Sequence, residues 1–192
     1  MINRLDTIGV ASSVGINRII RHAIWDHILG LTSDNNYNGQ TNTTNLTDII
    51  IHPDYYTTTI FKQLLGYGIL QISNNLSKGR TLRTYGFCSK TNEVLLMIIN
   101  VQNEYANLNV TFSDHQLSPS NIRYEYHFLP YNGSNILNSN YVTLNGKIMP
   151  DHYTSYPNYN PLTMPNAQPI TIAPYGITYV IFKNVNIEAC SN

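Results

Sequence analysis

The chain has 192 residues, of which 42% are hydrophobic and 11% are charged, and its formal net charge is zero. The hydrophobic share is enough for a folded core and excludes a disordered chain, while the charge balance gives no reason to expect binding to nucleic acid or to an anionic membrane. Polarity comes instead from Asn, Ser, Thr and fifteen tyrosines, a mixture typical of extracellular β-proteins.

The first third of the chain combines apolar stretches with a polar, low-complexity segment. Ile16–Leu29 carries isoleucines at helical spacing, but its β-branched content also fits a buried strand of a parallel sheet. Ser33–Asp48 is rich in Asn and Thr and predicts a surface loop. Pro53–Leu65 predicts a helix, because Pro53 suits the first helical position, an apolar stripe follows, and Gly66 suits the C-cap.

After Gly66 the hydrophobic period changes to two, which is typical of strands. The clearest alternation places aromatic residues on one face of a strand and Arg123, Glu125 and His127 on the other, which predicts a half-buried strand of an antiparallel sheet. The predicted strands are Leu82–Cys88, Val94–Val101, Leu108–Phe112, Ile122–Leu129, Tyr141–Leu144, Ile170–Ile172 and Ile177–Phe182. Turn signals such as Asn145-Gly146 separate them, so this part predicts a β-sandwich.

Few residues stand out as candidates for catalysis or metal binding. The six histidines show no metal-ligand spacing, so neither a metal nor a cofactor is expected. The acidic residues are scattered and are more typical of solvated or helix-capping carboxylates than of the paired carboxylates of a glycosidase. The acids considered are Asp26, Asp54, Glu93, Glu104, Glu125 and Glu188.

Four cations lie within about twenty residues of one another and could contact a sulfated polysaccharide, although they could equally serve only to keep a helix end and a loop soluble. They are Lys62, Lys78, Arg80 and Arg83. Glycosylation triplets occur about as often as this composition would give by chance, so they permit secretion without demonstrating it. The acceptor positions are Asn42, Asn45, Asn75, Asn109 and Asn132.

The chain has two cysteines, Cys88 at the end of a predicted strand and Cys190 near the C-terminus. A bond between them would close a loop of about a hundred residues and contribute about 4–5 kcal/mol in the chain-entropy treatment. Two unrelated buried thiols would fit the spacing equally well. The polar start of the chain does not predict a signal peptide, and its apolar runs are too short for a membrane span.

Taken together and in order, several segments resemble the C-terminal region of heparanase-like enzymes, which are retaining endo-β-glucuronidases among the glycoside hydrolases. Asp54–Gly66 resembles the helix that leads out of the family's catalytic barrel. Leu82–Cys88 resembles the first cysteine-bearing strand of the family's sandwich domain. Further matches are Tyr124–Pro130, Val142–Gly146, Ile172–Gly176, Tyr179–Asn184 and Ala189-Cys190, with a weaker match of Leu5–Arg21 to the preceding barrel strand.

The resemblance implies a mostly β fold. An antiparallel β-sandwich would occupy residues 67–192, preceded in residues 1–66 by the last strand and helix of an incomplete (β/α)8 barrel. Ile16–Ile24 would be the eighth barrel strand, and Cys88 and Cys190 would form the sandwich disulfide. The segment from Lys62 to Arg83 would match a heparin-binding segment of the family, although this chain is less basic there.

The resemblance also implies a function for a longer parent enzyme, which would cleave β-glucuronidic bonds in heparan-sulfate-type glycosaminoglycans. The family's two catalytic glutamates lie upstream of the matched segments, so this chain alone is predicted to be inactive and to support structure and secretion. The implied partners are a glycosaminoglycan and the N-terminal barrel portion of the same enzyme. The resemblance also allows the parent enzyme to associate peripherally with a membrane. The expected location is extracellular or lysosomal. The alternative is a non-catalytic polysaccharide-binding module or a degenerate paralogue.

Overall fold

The computed structural model describes residues 2–16, 32–34, 49–73, 81–113, 117–118, 121–131, 139–152 and 157–191. Within these residues there are two α-helices, α1 (Ile2–Ser13) and α2 (Pro53–Leu64), and a short 3₁₀ turn at Glu188–Cys190. The strands are β1 (Thr32–Asp34), β2 (Ile49–Ile51), β3 (Ile69–Leu70), β4 (Leu82–Cys88), β5 (Val94–Asn100), β6 (Ala106–Leu108), β7 (Ile122–Pro130), β8 (Val142–Leu144), β9 (Lys147–Ile148), β10 (Leu162–Pro165), β11 (Ile170–Ile172) and β12 (Ile177–Phe182).

The main sheet is antiparallel and runs in the order β3-β4-β5-β12-β7-β8-β9, with β10 also paired to β7. Strand β5 lies inside this sheet, and all seven of its residues are buried. It pairs with β4 along one edge and with β12 along the other. Its unbroken apolar sequence therefore reflects a strand that is covered on both faces.

Each face of the main sheet has its own hydrophobic core. On one face Leu95 and Met97 pack in a cluster with Ile60 of α2 and Leu5 of α1. On the other face Leu96 and Ile98 share a cluster with Ile170 and Ile172 of β11, which pairs with β6 as a separate two-stranded sheet. Two packed antiparallel sheets thus confirm the predicted mostly β fold and its sandwich.

Helix α2 confirms the prediction for Pro53–Leu65, but the role predicted for Gly66 is wrong. The C-cap residue is Leu65, in an extended conformation, and Gly66 lacks the positive φ of a glycine C-cap. The Gly66 N–H instead donates to the Cys88 carbonyl at 2.8 Å. A Cβ on Gly66 would overlap the Ser89 carbonyl oxygen, so the glycine is required by close approach to the end of β4.

The N-terminal segments differ from their predictions. Residues Ile2–Ser13 form a helix, so the barrel-strand match that begins at Leu5 is wrong for its described part. Helix α1 packs on the main sheet through Leu5, and that tertiary burial stabilises a segment with no strong helix-start signal. The start of the predicted loop, Ser33 and Asp34, belongs to β1, which pairs with β2. Apart from Ile16, the predicted strand Ile16–Ile24 lies outside the described residues.

One predicted strand is displaced. The prediction of Leu108–Phe112 is wrong for most of its length, because the strand is Ala106–Leu108. Val110 and Phe112 nevertheless pack against the core that contains Leu96 and Ile98. Their apolar spacing therefore indicates burial and not pairing with another strand. The predicted Asn145-Gly146 turn is confirmed: φ is 50° and 82° at these positions, and they join β8 to β9.

The predicted boundary at residue 66 remains a prediction. Side chains from both sides of it, including Phe61 and Phe87, lie in one hydrophobic cluster. No helix within the described part of the chain combines the length and apolar character needed to span a membrane.

Candidate functional site

The two cysteines are bonded, as the resemblance implied. Cys88 closes β4 and Cys190 ends the 3₁₀ turn; their Cα atoms are 5.3 Å apart, and their sequence separation is 102. The Asn92 N–H donates to the Cys190 carbonyl at 2.8 Å, which adds a backbone contact beside the bond. The C-terminal segment is thus fixed to the edge of the main sheet.

Two of the four predicted polysaccharide-binding cations, Lys62 and Arg83, lie in the described part of the chain. Lys62 is exposed in the last turn of α2. The Arg83 guanidinium forms an ion pair with the buried Asp6 carboxylate of α1, so its charge is already balanced within the chain. Lys78 and Arg80 lie outside the described residues. Polysaccharide binding by this set remains a prediction.

Asp6 also holds Tyr85, and together these contacts fix α1 on β4. The Tyr85 hydroxyl donates to Asp6 Oδ1 at 2.6 Å. Burial raises the pKa of Tyr85, while the charge of Arg83 opposes part of that rise. A Cβ on Gly9 would overlap the Tyr85 ring, so only glycine at this position lets the ring lie flat against the helix.

A groove of about 480 Å³ lies beside this contact, between α1 and strands β3 and β4. Its walls include Gly9 and Ser13 from the helix and Gln71 and Thr84 from the sheet side. The remaining described lining residues include Ile69, Ile72 and Phe87, and no Asp or Glu is among the described lining residues. The groove therefore has the shape of a binding surface, and its described lining supplies no carboxylate for hydrolysis.

Strand β7 carries a buried charged cluster that sequence reasoning missed. Glu125 is 3% exposed, so the expectation that it is solvated is wrong. Arg123 Nε donates to Glu125 Oε1 at 2.6 Å, and His127 Nε2 lies 2.7 Å from Glu125 Oε2. The other Arg123 nitrogens donate to the carbonyls of Pro165 and Pro169, at 2.5 and 3.2 Å. Arg123 thereby binds the β10–β11 connection to β7.

The electrostatics of Glu125 follow from these contacts. Burial by itself would raise the pKa of this carboxyl group. Hydrogen bonds from His127 and Arg123, with the positive charge that they bring, outweigh burial and hold the pKa of Glu125 below its usual value. A carboxylate held in its charged form by an arginine is suited to a structural role and not to that of a proton donor.

The remaining acidic residues also occupy structural or exposed positions. Asp54 pairs with Arg4 at 3.3 Å, and Glu93 lies 3.8 Å from Lys183. Glu104 and Glu188 are exposed. Across the residues that the structure describes, no three His, Cys, Asp or Glu side chains gather as metal ligands. Asp26 lies outside these residues.

The glycosylation acceptors are only partly described. Asn109 is exposed beyond the end of β6, where a glycan would meet solvent. Asn42, Asn45, Asn75 and Asn132 lie outside the described residues. Modification of these positions remains a prediction.

Comparison with known proteins identifies relatives in sequence, although no family profile matches the chain. Heparanase-like protein 3 of Arabidopsis thaliana is 29% identical over 97% of this chain and 36% of its own length. Inactive heparanase-2 of Homo sapiens is 27% identical over 97% of the chain and 31% of its length. Baicalin-beta-D-glucuronidase of Scutellaria baicalensis is 30% identical over 68% of the chain and 24% of its length. The chain therefore spans about a quarter to a third of these proteins.

A solved structure shares the fold. The protein BuGH86, crystallised in complex with neoagarooctaose, aligns with a TM-score of 0.62 over 99% of this chain and 26% of its own, at 8% identity. At that identity the likeness concerns the fold alone. The sequence relatives carry the relationship, and the resemblance of this chain to heparanase-like glycosidases is confirmed.

Proposed function

We propose that this chain is the C-terminal portion of a heparanase-like glycoside hydrolase that cleaves β-glucuronidic bonds in heparan-sulfate-type glycosaminoglycans. Similarity over 97% of the chain to proteins named heparanase-like supports this reading, as does similarity to a named glucuronidase. Because the chain spans only 24–36% of those relatives, the proposed activity belongs to a longer protein.

The observation that carries the proposal is the core shared by α2 and the main sheet. Phe61 of α2 packs edge-on against Phe87, with ring centroids 5.3 Å apart, and lies 6.0 Å from the Tyr179 ring. The buried Tyr179 hydroxyl donates to the Thr57 carbonyl at 2.9 Å. The helix that resembles the exit from a catalytic barrel is thus fixed to the sandwich, and we infer that the sandwich supports the barrel through it.

Helix α1 offers a surface for the remainder of such an enzyme. Val10 lies in the last turns of α1 and Val14 immediately follows the helix, and they are 49% and 69% exposed. Ile16, just beyond the helix, is also exposed. Apolar side chains grouped in this way favour contact with further protein.

The chemistry of the parent would come from elsewhere. A retaining glycosidase needs two carboxyl groups about 5–5.5 Å apart, one of them able to donate a proton. Five described carboxylates already lie against a basic side chain. The pairs are Asp6 with Arg83, Asp54 with Arg4, Glu93 with Lys183, Glu125 with Arg123, and Asp151 with His152. In this proposal the two glutamates lie upstream, the chain alone does not hydrolyse glycosidic bonds, and the disulfide fits an extracellular or lysosomal location.

The test is a hydrolysis assay on a heparan-sulfate-type chain, with the purified 192-residue protein alone and co-expressed with the upstream portion read from its full-length transcript. We expect activity only from the pair. Phe61→Ala should reduce recovery of the active pair, whereas the change Gln63→Ala at an exposed position of the same helix should not. Hydrolysis by the 192-residue protein alone, or an upstream reading frame without a barrel, would refute the proposal.

A non-catalytic polysaccharide-binding module is the second candidate, and the similarity to a protein named inactive heparanase-2 favours it. Heparin affinity measured against salt concentration tests this role. Joint replacement of Lys78, Arg80 and Arg83 by glutamine should abolish salt-sensitive binding in a protein that circular dichroism shows to be folded, a check that is needed because Arg83 also pairs with the buried Asp6 carboxylate. Absence of heparin binding by the unaltered protein at low salt would exclude it.

A further inference from the structure

A surface outside the contacts discussed above is formed by Tyr131, Tyr141, Asp151 and His152; we refer to it as the tyrosine surface. The two tyrosine rings meet edge to face, with centroids 6.3 Å apart and an interplanar angle of 82°. They are 42% and 44% exposed. The Tyr131 N–H donates to the Tyr141 carbonyl at 3.0 Å, so the backbone beneath both rings is fixed.

Polar groups border these rings. The Asp151 carboxylate lies close enough to the Tyr141 hydroxyl to raise the pKa of Tyr141, and His152 Nδ1 lies 2.8 Å from Asp151 Oδ1. Both Asp151 and His152 are more than one-third exposed in their side chains. The hydrogen bond from His152 lowers the pKa of Asp151 against a smaller opposing effect of burial, so Asp151 is an anion and an acceptor at neutral pH.

The tyrosine surface is tied to the start of α2. The Ile51 N–H donates to the Asp151 carbonyl at 2.6 Å, and Ile50 forms a β-bridge with His152. The Tyr56 hydroxyl of α2 donates to the Pro150 carbonyl. Segments that lead from a strand into a helix lie at the catalytic end of a (β/α)8 barrel. If α2 is the last barrel helix, as the proposed function has it, the tyrosine surface lies at that end.

We propose that the tyrosine surface is a binding subsite for an uncharged pyranose ring of an oligosaccharide. A pyranose presents an apolar face of C–H groups, which can pack on an exposed tyrosine ring, and a rim of hydroxyls, which can donate to the Asp151 carboxylate. The negative charge of Asp151 disfavours a sulfated or carboxylated ring at the same position. The inference rests on the proposed function only for the position of the tyrosine surface in the parent enzyme. There the surface would bind part of the sugar chain away from the bond that is cleaved.

The test uses the 192-residue protein and two probes, fully N-acetylated chitotetraose (called chitotetraose below) as an uncharged oligosaccharide and a sulfated heparin tetrasaccharide. Binding is measured by NMR titration, and saturation transfer identifies the sugar protons in contact. We expect chitotetraose to bind weakly and saturably, with transfer concentrated on ring C–H protons. Tyr141→Ala should weaken that binding by about threefold to tenfold, whereas Tyr141→Phe, which keeps the ring, should weaken it less.

Two further variants sharpen the test. Asp151→Asn should weaken chitotetraose binding and improve the relative affinity for the sulfated probe, because the repelling charge is gone. Tyr105→Ala is the matched control: Tyr105 is 70% exposed and lies just before β6. Circular dichroism confirms that each variant is folded.

The proposal is overturned if chitotetraose shows no saturable binding up to about 10 mM, or if Tyr105→Ala weakens binding as much as Tyr141→Ala. Preferred binding of the sulfated probe at Tyr141 would overturn it as well. Its failure is separate from that of the proposed function. Binding without reconstituted hydrolysis would refute only the parent activity, and hydrolysis by the assembled pair without chitotetraose binding would refute only the subsite.

Discussion

Replacing Glu125 with glutamine should destabilise the protein strongly, because it removes the charge that balances a buried arginine. Arg123 is 1% exposed and forms a 2.6 Å hydrogen bond to Glu125. Breaking a buried ion pair on one side costs about 3–5 kcal/mol, mainly through the charge left without a partner. Since the Pro165 and Pro169 carbonyls still accept from Arg123, we expect the lower end of that range, about 3 kcal/mol.

Urea denaturation at pH 7, with the slope and the midpoint fitted separately, measures this loss. Glu104→Gln is the matched control, because Glu104 is an exposed carboxylate, and it should change the free energy of unfolding by less than about 0.5 kcal/mol. A loss below about 1 kcal/mol for Glu125→Gln would refute the reasoning. In that case the buried pair would not need both of its charges.

The pH dependence gives a second readout of the same pair. The folded protein holds the pKa of Glu125 below its usual value of 4.5, so the carboxylate stabilises the fold when it is charged. That contribution is present above the unfolded-state pKa and is lost as the pH falls through the folded-state pKa. The unaltered protein should therefore lose stability below about pH 4.5 more steeply than Glu125→Gln. Equal slopes would contradict the assignment.

Three further perturbations address other contacts. Replacing Cys88 and Cys190 with serine should cost about 4–5 kcal/mol, since 102 positions separate them; an unchanged melting temperature would count against the role of the bond. Gly9→Ala should cost about 1–3 kcal/mol through overlap with the Tyr85 ring, and a neutral urea midpoint would show that the ring moves freely. Burial first, then Tyr55 and Asp151, raises the pKa of Tyr56 to about 12, so stability should fall as the pH rises from 10 to 12. Tyr56→Phe should reduce that fall, and an identical pH profile would contradict the assignment.

The strands were predictable where the local pattern and the tertiary environment agree. Val94–Asn100 is apolar throughout and is covered on both faces, and the alternation in Ile122–Pro130 correctly indicates an extended strand. The turn at Asn145-Gly146 was predictable because only a few residues tolerate positive φ there. The offset at Ala106–Leu108 was not predictable, because apolar spacing indicates burial but does not identify the partner strand.

The candidate sites were less accessible to sequence reasoning. A strand face with Arg123, Glu125 and His127 looks the same in sequence whether it meets water or a covering segment. The residues that cover it, Pro165 and Pro169, lie about forty positions further along the chain. Likewise, Tyr141 and Asp151 are unremarkable polar residues until the hairpin and the start of α2 bring them together.

The sequence by itself determined the relationship to heparanase-like proteins, the mostly β character and the positions of the long strands. These depend on local periodicity and on the order in which the matching segments follow one another along the chain. The tertiary structure decided which polar groups are buried, which cations are already paired, and where Gly66 and Gly9 are required. Those properties depend on contacts between segments distant in the chain. A one-dimensional pattern specifies the face of an element but not what covers it.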